Sequence, residues 1–207
     1  MNLKDRKLYL VTDYNIEFTK LLERVEMALQ AGVSIVQYRA KNLSVEVMCA
    51  EALAIKKICQ KYNALFIVND NVDIALEVDA DGVHVGQDDM EVYKVKCLLP
   101  PGKIVGATVH NKEEAMEAVK QGADNLGVGA IYATSTKNDA TPMSMETLKE
   151  IRACTDTTIY GIGGINVNNI TKELMENVDG VAVVSAILNS DNVNKACSEL
   201  VKKIKNS

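Results

Sequence analysis

The sequence contains no tryptophan, and only two phenylalanines, two histidines and three prolines occur among its 207 residues. Two histidines, His84 and His110, are too few for a histidine-rich metal centre. Five cysteines (Cys49, Cys59, Cys97, Cys154 and Cys197) form no C-x-x-C pair, and their odd number and wide spacing exclude a complete disulfide framework and a zinc cluster. They read as the reduced thiols of a cytoplasmic protein. Basic residues number 23 against 28 acidic ones, a net charge of −5, and they are scattered rather than clustered, so neither nucleic acid nor a membrane surface is the expected partner. No apolar run approaches the roughly 20 residues needed to span a bilayer. The N-terminal residues lead into a short apolar strand rather than a signal-peptide core, so secretion is not expected. There is no Walker A motif and therefore no sign of P-loop nucleotide hydrolysis.

What is present is a globular composition, 47% hydrophobic and 25% charged, with no linker-like or low-complexity segment. One domain over residues 1–207 is the expectation. Eight β-rich runs, at 8–12, 34–38, 65–69, 82–85, 104–107, 125–131, 158–162 and 181–184, alternate with helical patterns. Such alternation predicts a parallel sheet covered by helices. Eight units fit a compact α/β single-domain (β/α)8 TIM barrel, a fold that typically takes roughly 250 residues. An open doubly wound sheet is the alternative, weakened because no strand leads into G-x-G-x-x-G.

The helices carry readable ends and faces. The first places Leu21, Leu22, Val25, Ala28 and Leu29 on one stripe and stops at Gly32. The second opens at Ser44, with Val47, Ala50, Ala54 and Ile58 at helical spacing. The fifth opens with Asn111 and Glu114, a reciprocal cap, and ends near Gly122. The last aligns Val193, Ala196, Cys197, Leu200, Val201 and Ile204.

In a barrel the chemistry sits on the loops after the strands. Beyond the second strand, Gln37, Arg39 and Lys41 share one side of an extended chain and offer an amide, a guanidinium and an ammonium, suited to a phosphate and a polar ring. A basic strand end paired to nearby carboxylates is an equal reading of the same pattern. Asn69-Asp70 and Gln87-Asp88-Asp89 come after the third and fourth strands. Their carboxylates can converge on a hard cation such as Mg²⁺, which takes one or two carboxylates plus phosphate oxygens. Helix capping accounts better for Asn71 and Asp88. Thr108 and His110 come after the fifth strand, and Thr134-Ser135-Thr136-Lys137 after the sixth, where hydroxyls and an ammonium can surround a phosphate or merely make a turn. Strand seven runs through Gly161-Ile162-Gly163-Gly164-Ile165 into a helix, and strand eight ends at Val183-Val184-Ser185. Exposed backbone N–H groups there fit a phosphate monoester, although glycines also serve tight turns. His84, within strand four, reads as a hydrogen-bonded interior residue. His110 could act as an acid or base, or simply sit in its turn.

Taken in order, Gln37-Tyr38-Arg39-Ala40-Lys41, Asn69-Asp70, the run from Gly82 to Asp89, Thr134-Ser135-Thr136-Lys137, Gly161-Ile162-Gly163-Gly164-Ile165 and Val184-Ser185-Ala186-Ile187 resemble the thiamine phosphate synthase family over nearly the whole chain. The resemblance implies a (β/α)8 barrel that condenses two small phosphorylated substrates, 4-amino-2-methyl-5-(diphosphooxymethyl)pyrimidine and 4-methyl-5-(2-phosphooxyethyl)thiazole or its carboxylated form. The products are thiamine phosphate and pyrophosphate. It further implies Mg²⁺ on Asp70 and Asp89, and pyrimidine diphosphate on Gln37, Arg39, Lys41, Asn69, Thr108 and Lys137, of which Arg39, Lys41, Thr108 and Lys137 assist catalysis. Thiazole phosphate would lie on Thr134, Ser135, Thr136, Gly164, Val184 and Ser185. Thr108 stands where the family commonly has serine, which keeps a hydroxyl, and Ala133 replaces a frequent proline, which leaves the loop less constrained. The implied mechanism is dissociative, through a ring-stabilised pyrimidine cation, and needs no side-chain nucleophile. Two other functions fit a similar barrel: a thiazole tautomerase using proton transfer, to which the diphosphate-binding set is superfluous, and a non-catalytic sensor of phosphate ligands. A homo-oligomer is left open.

Overall fold

The computed structural model describes residues 3–134 and 141–207. Eight strands, β1 (Leu8–Val11), β2 (Ile35–Tyr38), β3 (Leu65–Asn69), β4 (Gly82–Val85), β5 (Ile104–Val109), β6 (Asn125–Val128), β7 (Thr158–Ile162) and β8 (Gly180–Val183), pair in sequence order and close into one barrel. All pairings are parallel, and β1 meets β8 with Leu8 beside Val181. The doubly wound alternative is thereby excluded. Outside the barrel lie α1 (Phe18–Gln30), α2 (Val45–Lys61), α3 (Val72–Glu77), α4 (Val92–Leu98), α5 (Lys112–Lys120), α6 (Met145–Cys154), α7 (Lys172–Asn177), a short α8 (Ser185–Leu188) and α9 (Val193–Asn206).

Strand alternation divides the core into two layers. Outward residues such as Leu10, Val36, Phe66, Val83, Val105, Leu126, Ile159 and Val181 pack against the helices in a continuous apolar layer. Inward residues Tyr9, Val11, Ile35, Leu65, Ile67, Tyr160 and Ala182 form a second cluster in the barrel lumen. That lumen is a filled core, and its upper end forms the floor of an open cavity.

Helix faces match the sequence pattern with one exception. Helices α1 and α9 bury the expected stripes, and Asn111 caps α5 by accepting from the Glu114 backbone N–H at 2.8 Å while its own amide donates to the Glu114 carboxylate. In α2 the buried face is Ala52, Ile55 and Cys59, about one position round from the stripe read from Val47, Ala50, Ala54 and Ile58. Val45 and Val47 in its first turns are exposed, and the contact is made further along, by Ala52, Ile55 and Cys59.

Three further boundaries differ from the sequence expectation. Strand β5 continues to Val109, and β6 stops at Val128. Beyond β6 the chain turns toward the end of β7, where the Ile131 and Tyr132 N–H groups donate to the carbonyls of Ile162 and Gly163. Helix α7 does not begin directly after Ile165: residues 166–171 form an asparagine-rich turn, and Thr171 caps the helix. Asn71 caps α3 as expected, whereas Asp88 caps nothing because α4 opens later, at Glu91.

Candidate active site

The strands deliver their polar residues to one opening at the C-terminal end of the barrel, a cavity of about 1030 Å³. Gln37, Arg39, Lys41, Asn69, Asp70, Asp89 and Thr108 line its β2–β5 side, and Thr134, Gly164, Val184 and Ser185 its β6–β8 side. Ser135, Thr136 and Lys137 lie outside the described residues. Every other residue singled out from the sequence as a site residue therefore meets in one place.

On the β2 side the alternation places Gln37 inward while Tyr38 turns outward and donates to Glu51 at 2.6 Å. Arg39 is fixed by its backbone, whose N–H donates to the Thr12 hydroxyl at 2.8 Å, and its guanidinium lies 5.3 Å from the centre of the Tyr14 ring. Among the described residues neither Arg39 nor Lys41 forms an ion pair, which disfavours the reading of a basic strand end neutralised by the protein's own carboxylates. Their charge faces the opening.

Two carboxylates stand across from them. Asp70 adopts a left-handed backbone conformation, φ 59°, that an aspartate tolerates better than a branched residue does. Asp89 turns back to accept the Gly86 N–H at 2.8 Å. Burial holds Asp70 well above the usual carboxylate range, and the hydrogen bond and charge of Asp89 push it further up. Asn69 and the Arg39 charge act the opposite way. A pair of hard oxygen donors that repel each other in this way fits a divalent cation that takes its remaining ligands from phosphate and water. Among the described residues no group of three or more acidic, histidine or cysteine side chains could hold a metal ion.

The floor is formed by His84 and Asn125. His84 Nε2 lies 3.0 Å from the Thr108 hydroxyl, and burial lowers the imidazole pKa to about 4, so the ring is neutral at physiological pH. A Cβ at Gly106 would strike His84 Nδ1, so the bare glycine makes room for the ring. His84 Nδ1 and Asn125 Oδ1 are both buried with no hydrogen-bond partner among the described residues. His110 instead sits at the rim, with Nδ1 2.9 Å from Glu114; the α5 cap ties it in place.

On the opposite side Gly163 and Gly164 have φ of 97° and 64°. A Cβ on Gly163 would come within 2.6 Å of Ala130, and one on Gly164 would strike the Ala133 carbonyl. Both glycines are therefore required for the turn to close on the loop after β6. Tyr132 reinforces that contact by donating to the Asn169 carbonyl at 2.7 Å.

Sequence reasoning gave no role to Tyr9 and Thr12, which line this cavity, or to Tyr14, which lies against Arg39, and it named Gln87 only within the run after β4, where its amide donates to the Thr108 carbonyl at 2.6 Å. Thr12 follows the last residue of β1, where inspecting the end of every strand, the first included, would have found it, whereas Tyr9 lies within the strand.

Comparison with known proteins identifies the family. The family model for thiamine monophosphate synthase matches residues 8–187. The chain is 55% identical over 202 residues to a thiamine-phosphate synthase of Clostridium perfringens (strain 13 / Type A), covering 97% of this chain and 98% of that one. It is 43% identical over 204 residues to one of Methanosarcina mazei, covering 98% and 85%. Among solved structures, a thiamine phosphate pyrophosphorylase from Pyrococcus furiosus superposes with a TM-score of 0.89 at 39% identity, covering 99% of this chain and 98% of that one. With a family match across most of its length and full-length relatives at this identity, the chain belongs to the thiamine-phosphate synthase family of transferases.

Proposed function

We propose that the protein condenses 4-amino-2-methyl-5-(diphosphooxymethyl)pyrimidine with 4-methyl-5-(2-phosphooxyethyl)thiazole, or its carboxylated form, releasing pyrophosphate and forming thiamine phosphate. The observation that carries this reading is the division of one cavity into two chemically distinct sides: an amide, two cations and two carboxylates face a glycine turn and hydroxyls. The first set suits a diphosphate joined to a polar ring, and the second suits a phosphate monoester held by backbone N–H groups beside the short helix α8 after β8.

The reaction breaks the C–O bond between the pyrimidine methylene and the diphosphate, and the bonding pair leaves with pyrophosphate. The thiazole nitrogen then supplies the pair for the new C–N bond. Arg39 and Lys41 hold the departing diphosphate and stabilise the charge that grows on it, and Lys137 joins them by family resemblance. Asp70 and Asp89 would hold Mg²⁺, which supplies further neutralisation of the leaving group when bound. Asn69 and Gln37 orient the diphosphate and the ring. Thr108 lies within reach of the same ring, and its hydroxyl is held from behind by His84. Gly164, Thr134, Val184 and Ser185, with Ser135 and Thr136, fix the thiazole phosphate so that the ring nitrogen faces the electrophilic carbon. The neutral lumen floor keeps bulk water from the cation. No nucleophilic side chain is required.

The diphosphate side argues against a tautomerase, to which it is superfluous, and against a sensor, which has no use for groups aimed at a departing pyrophosphate. The test is pyrophosphate release from both purified substrates with Mg²⁺ and with EDTA, with the second product identified by mass. Metal-dependent formation of thiamine phosphate is expected. Ligand binding without product, or exchange of the thiazole ring proton without condensation, would overturn the proposal.

A further inference from the structure

The turn after β7 is held from behind at two successive carbonyls, and the two ties differ in kind. The Gly163 carbonyl accepts from the Tyr132 backbone N–H at 3.0 Å. The Gly164 carbonyl accepts from two side-chain amides, Asn169 Nδ2 at 2.9 Å and Asn166 Nδ2 at 3.3 Å. Both peptides are trans, so the N–H groups of Gly164 and Ile165 point the opposite way from those carbonyls. Neither N–H has an acceptor among the described residues. Gly164 and Ile165 line the cavity, and the Ile165 side chain, 4% exposed, packs in the outer apolar layer, so Ile165 meets the cavity with its backbone. Two adjacent backbone donors left open beside a cavity suit an anion.

Asn169 makes the shorter of the two amide ties and is itself locked. Its Nδ2 donates to Gly164 while its Oδ1 accepts the Asn166 N–H at 2.8 Å. A backbone carbonyl only accepts and a backbone N–H only donates, so the amide has a single orientation. The Asn169 carbonyl accepts from the Tyr132 hydroxyl at 2.7 Å, which joins it to the loop that carries Thr134. Asn169 stands behind the turn and, unlike Asn166, does not line the cavity.

We infer that Asn169 is a positioning residue that holds the Gly164–Ile165 peptide with its N–H toward the cavity, and so strengthens binding of the thiazole substrate's phosphate without touching it. The inference rests on the proposed thiazole phosphate site and adds to it the group that aims its backbone. Without the Asn169 amide the Gly164 carbonyl keeps only the longer bond to Asn166. The flexible Gly163-Gly164 backbone then lets the peptide turn and carries the Ile165 N–H off its line.

The test measures binding of 4-methyl-5-(2-phosphooxyethyl)thiazole and of the alcohol that lacks its phosphate, by calorimetry with the alcohol as competitor. Because both carry the same ring, their affinity ratio isolates the phosphate contact. Wild type should prefer the phosphate by about 100-fold or more, the scale of two charge-assisted hydrogen bonds. Asn169→Ala should cut that preference about tenfold. Asn169→Asp keeps an acceptor for the Asn166 N–H, so the turn still closes, but its carboxylate cannot donate to Gly164, and it should lose at least as much. Thr171→Ala removes the α7 cap at the end of the same turn without touching Gly164, and should keep the full preference. An undiminished preference in either Asn169 variant, no preference in wild type, or an equal loss in Thr171→Ala would overturn the inference. Failure of the transferase reading shows separately, as absence of thiamine phosphate from wild type, since the ratio is read from binding alone.

Discussion

Carboxylates sit at both ends of this barrel, and they are treated in opposite ways. At the closed end Asp81, Asp124 and Asp179 each precede a strand and each accept a backbone N–H from the strand before it, those of Phe66, Val105 and Ile159, at 2.7 to 2.9 Å. Two of them also take a cation: Lys96 on Asp124 and Arg152 on Asp179. At the open end Asp70 and Asp89 face each other, and the cation nearest in effect, Arg39, only partly offsets their repulsion. The same side chain completes the hydrogen bonding of the fold at one end and leaves it open at the other. On the proposed function, that difference separates residues kept for stability from residues kept for a ligand.

Changes at the two ends should therefore fail differently. The largest effect is expected from Asp89→Ala, which should lower turnover at least about 100-fold while circular dichroism shows a folded barrel. Near-normal turnover at saturating substrate and Mg²⁺ would break the contrast. Asp179→Ala should do the reverse. It strips the Ile159 N–H and Arg152 of their partner and should cost about 2–4 kcal/mol in denaturant unfolding, with kcat/KM of the folded enzyme unchanged.

His84 sharpens the comparison through pH. Its folded pKa of about 4 lies below its unfolded value of 6.5, so the unfolded chain binds the proton more tightly. The neutral ring's contribution is complete above pH 6.5 and is lost as pH falls toward 4. Between pH 7.5 and 5.5 wild type should lose on the order of 1 kcal/mol more stability than His84→Gln, measured by urea unfolding at both pH values. Equal losses would show that the floor does not exclude the charged ring. The smallest effect is expected at Tyr14, which is half-exposed beside Arg39. Tyr14→Ala should raise KM for the diphosphate substrate about threefold and leave kcat unchanged, since a cation–π contact at an exposed site is worth about 0.5–1 kcal/mol.

Much of this was readable from the chain because parallel strands buried on both faces appear as short apolar runs, and their ends are marked by a change to polar residues. Gln37, Arg39, Asp70 and Asp89 could be found by inspecting the C-terminal end of each apolar run. Features that depend on three-dimensional approach were not readable. The α2 stripe of Val47, Ala50, Ala54 and Ile58 follows helical spacing, which does not by itself say which of two neighbouring faces meets the barrel, and the buried one is Ala52, Ile55 and Cys59. The helix expected after Ile165 starts later, because Gly163 and Gly164 use their left-handed conformations to meet the β6 loop. The Asp81, Asp124 and Asp179 pattern spans three βα units, and each of its hydrogen bonds reaches the preceding strand. Tyr9 was legible as a strand residue but not as the hydrogen-bond partner of Gln37, since their contact crosses between strands.

The contrast between the two ends is tested most directly by the unfolding free energy of wild type and Asp89→Asn at pH 7.5, in EDTA and again with Mg²⁺ and pyrophosphate. Asparagine retains an acceptor for the Gly86 N–H and removes the charge that opposes Asp70. The account predicts that the variant is at least as stable as wild type in EDTA, and that only wild type gains stability when the ligands are added. A variant less stable in EDTA by more than about 1 kcal/mol, with an equal gain on ligand addition, would contradict it.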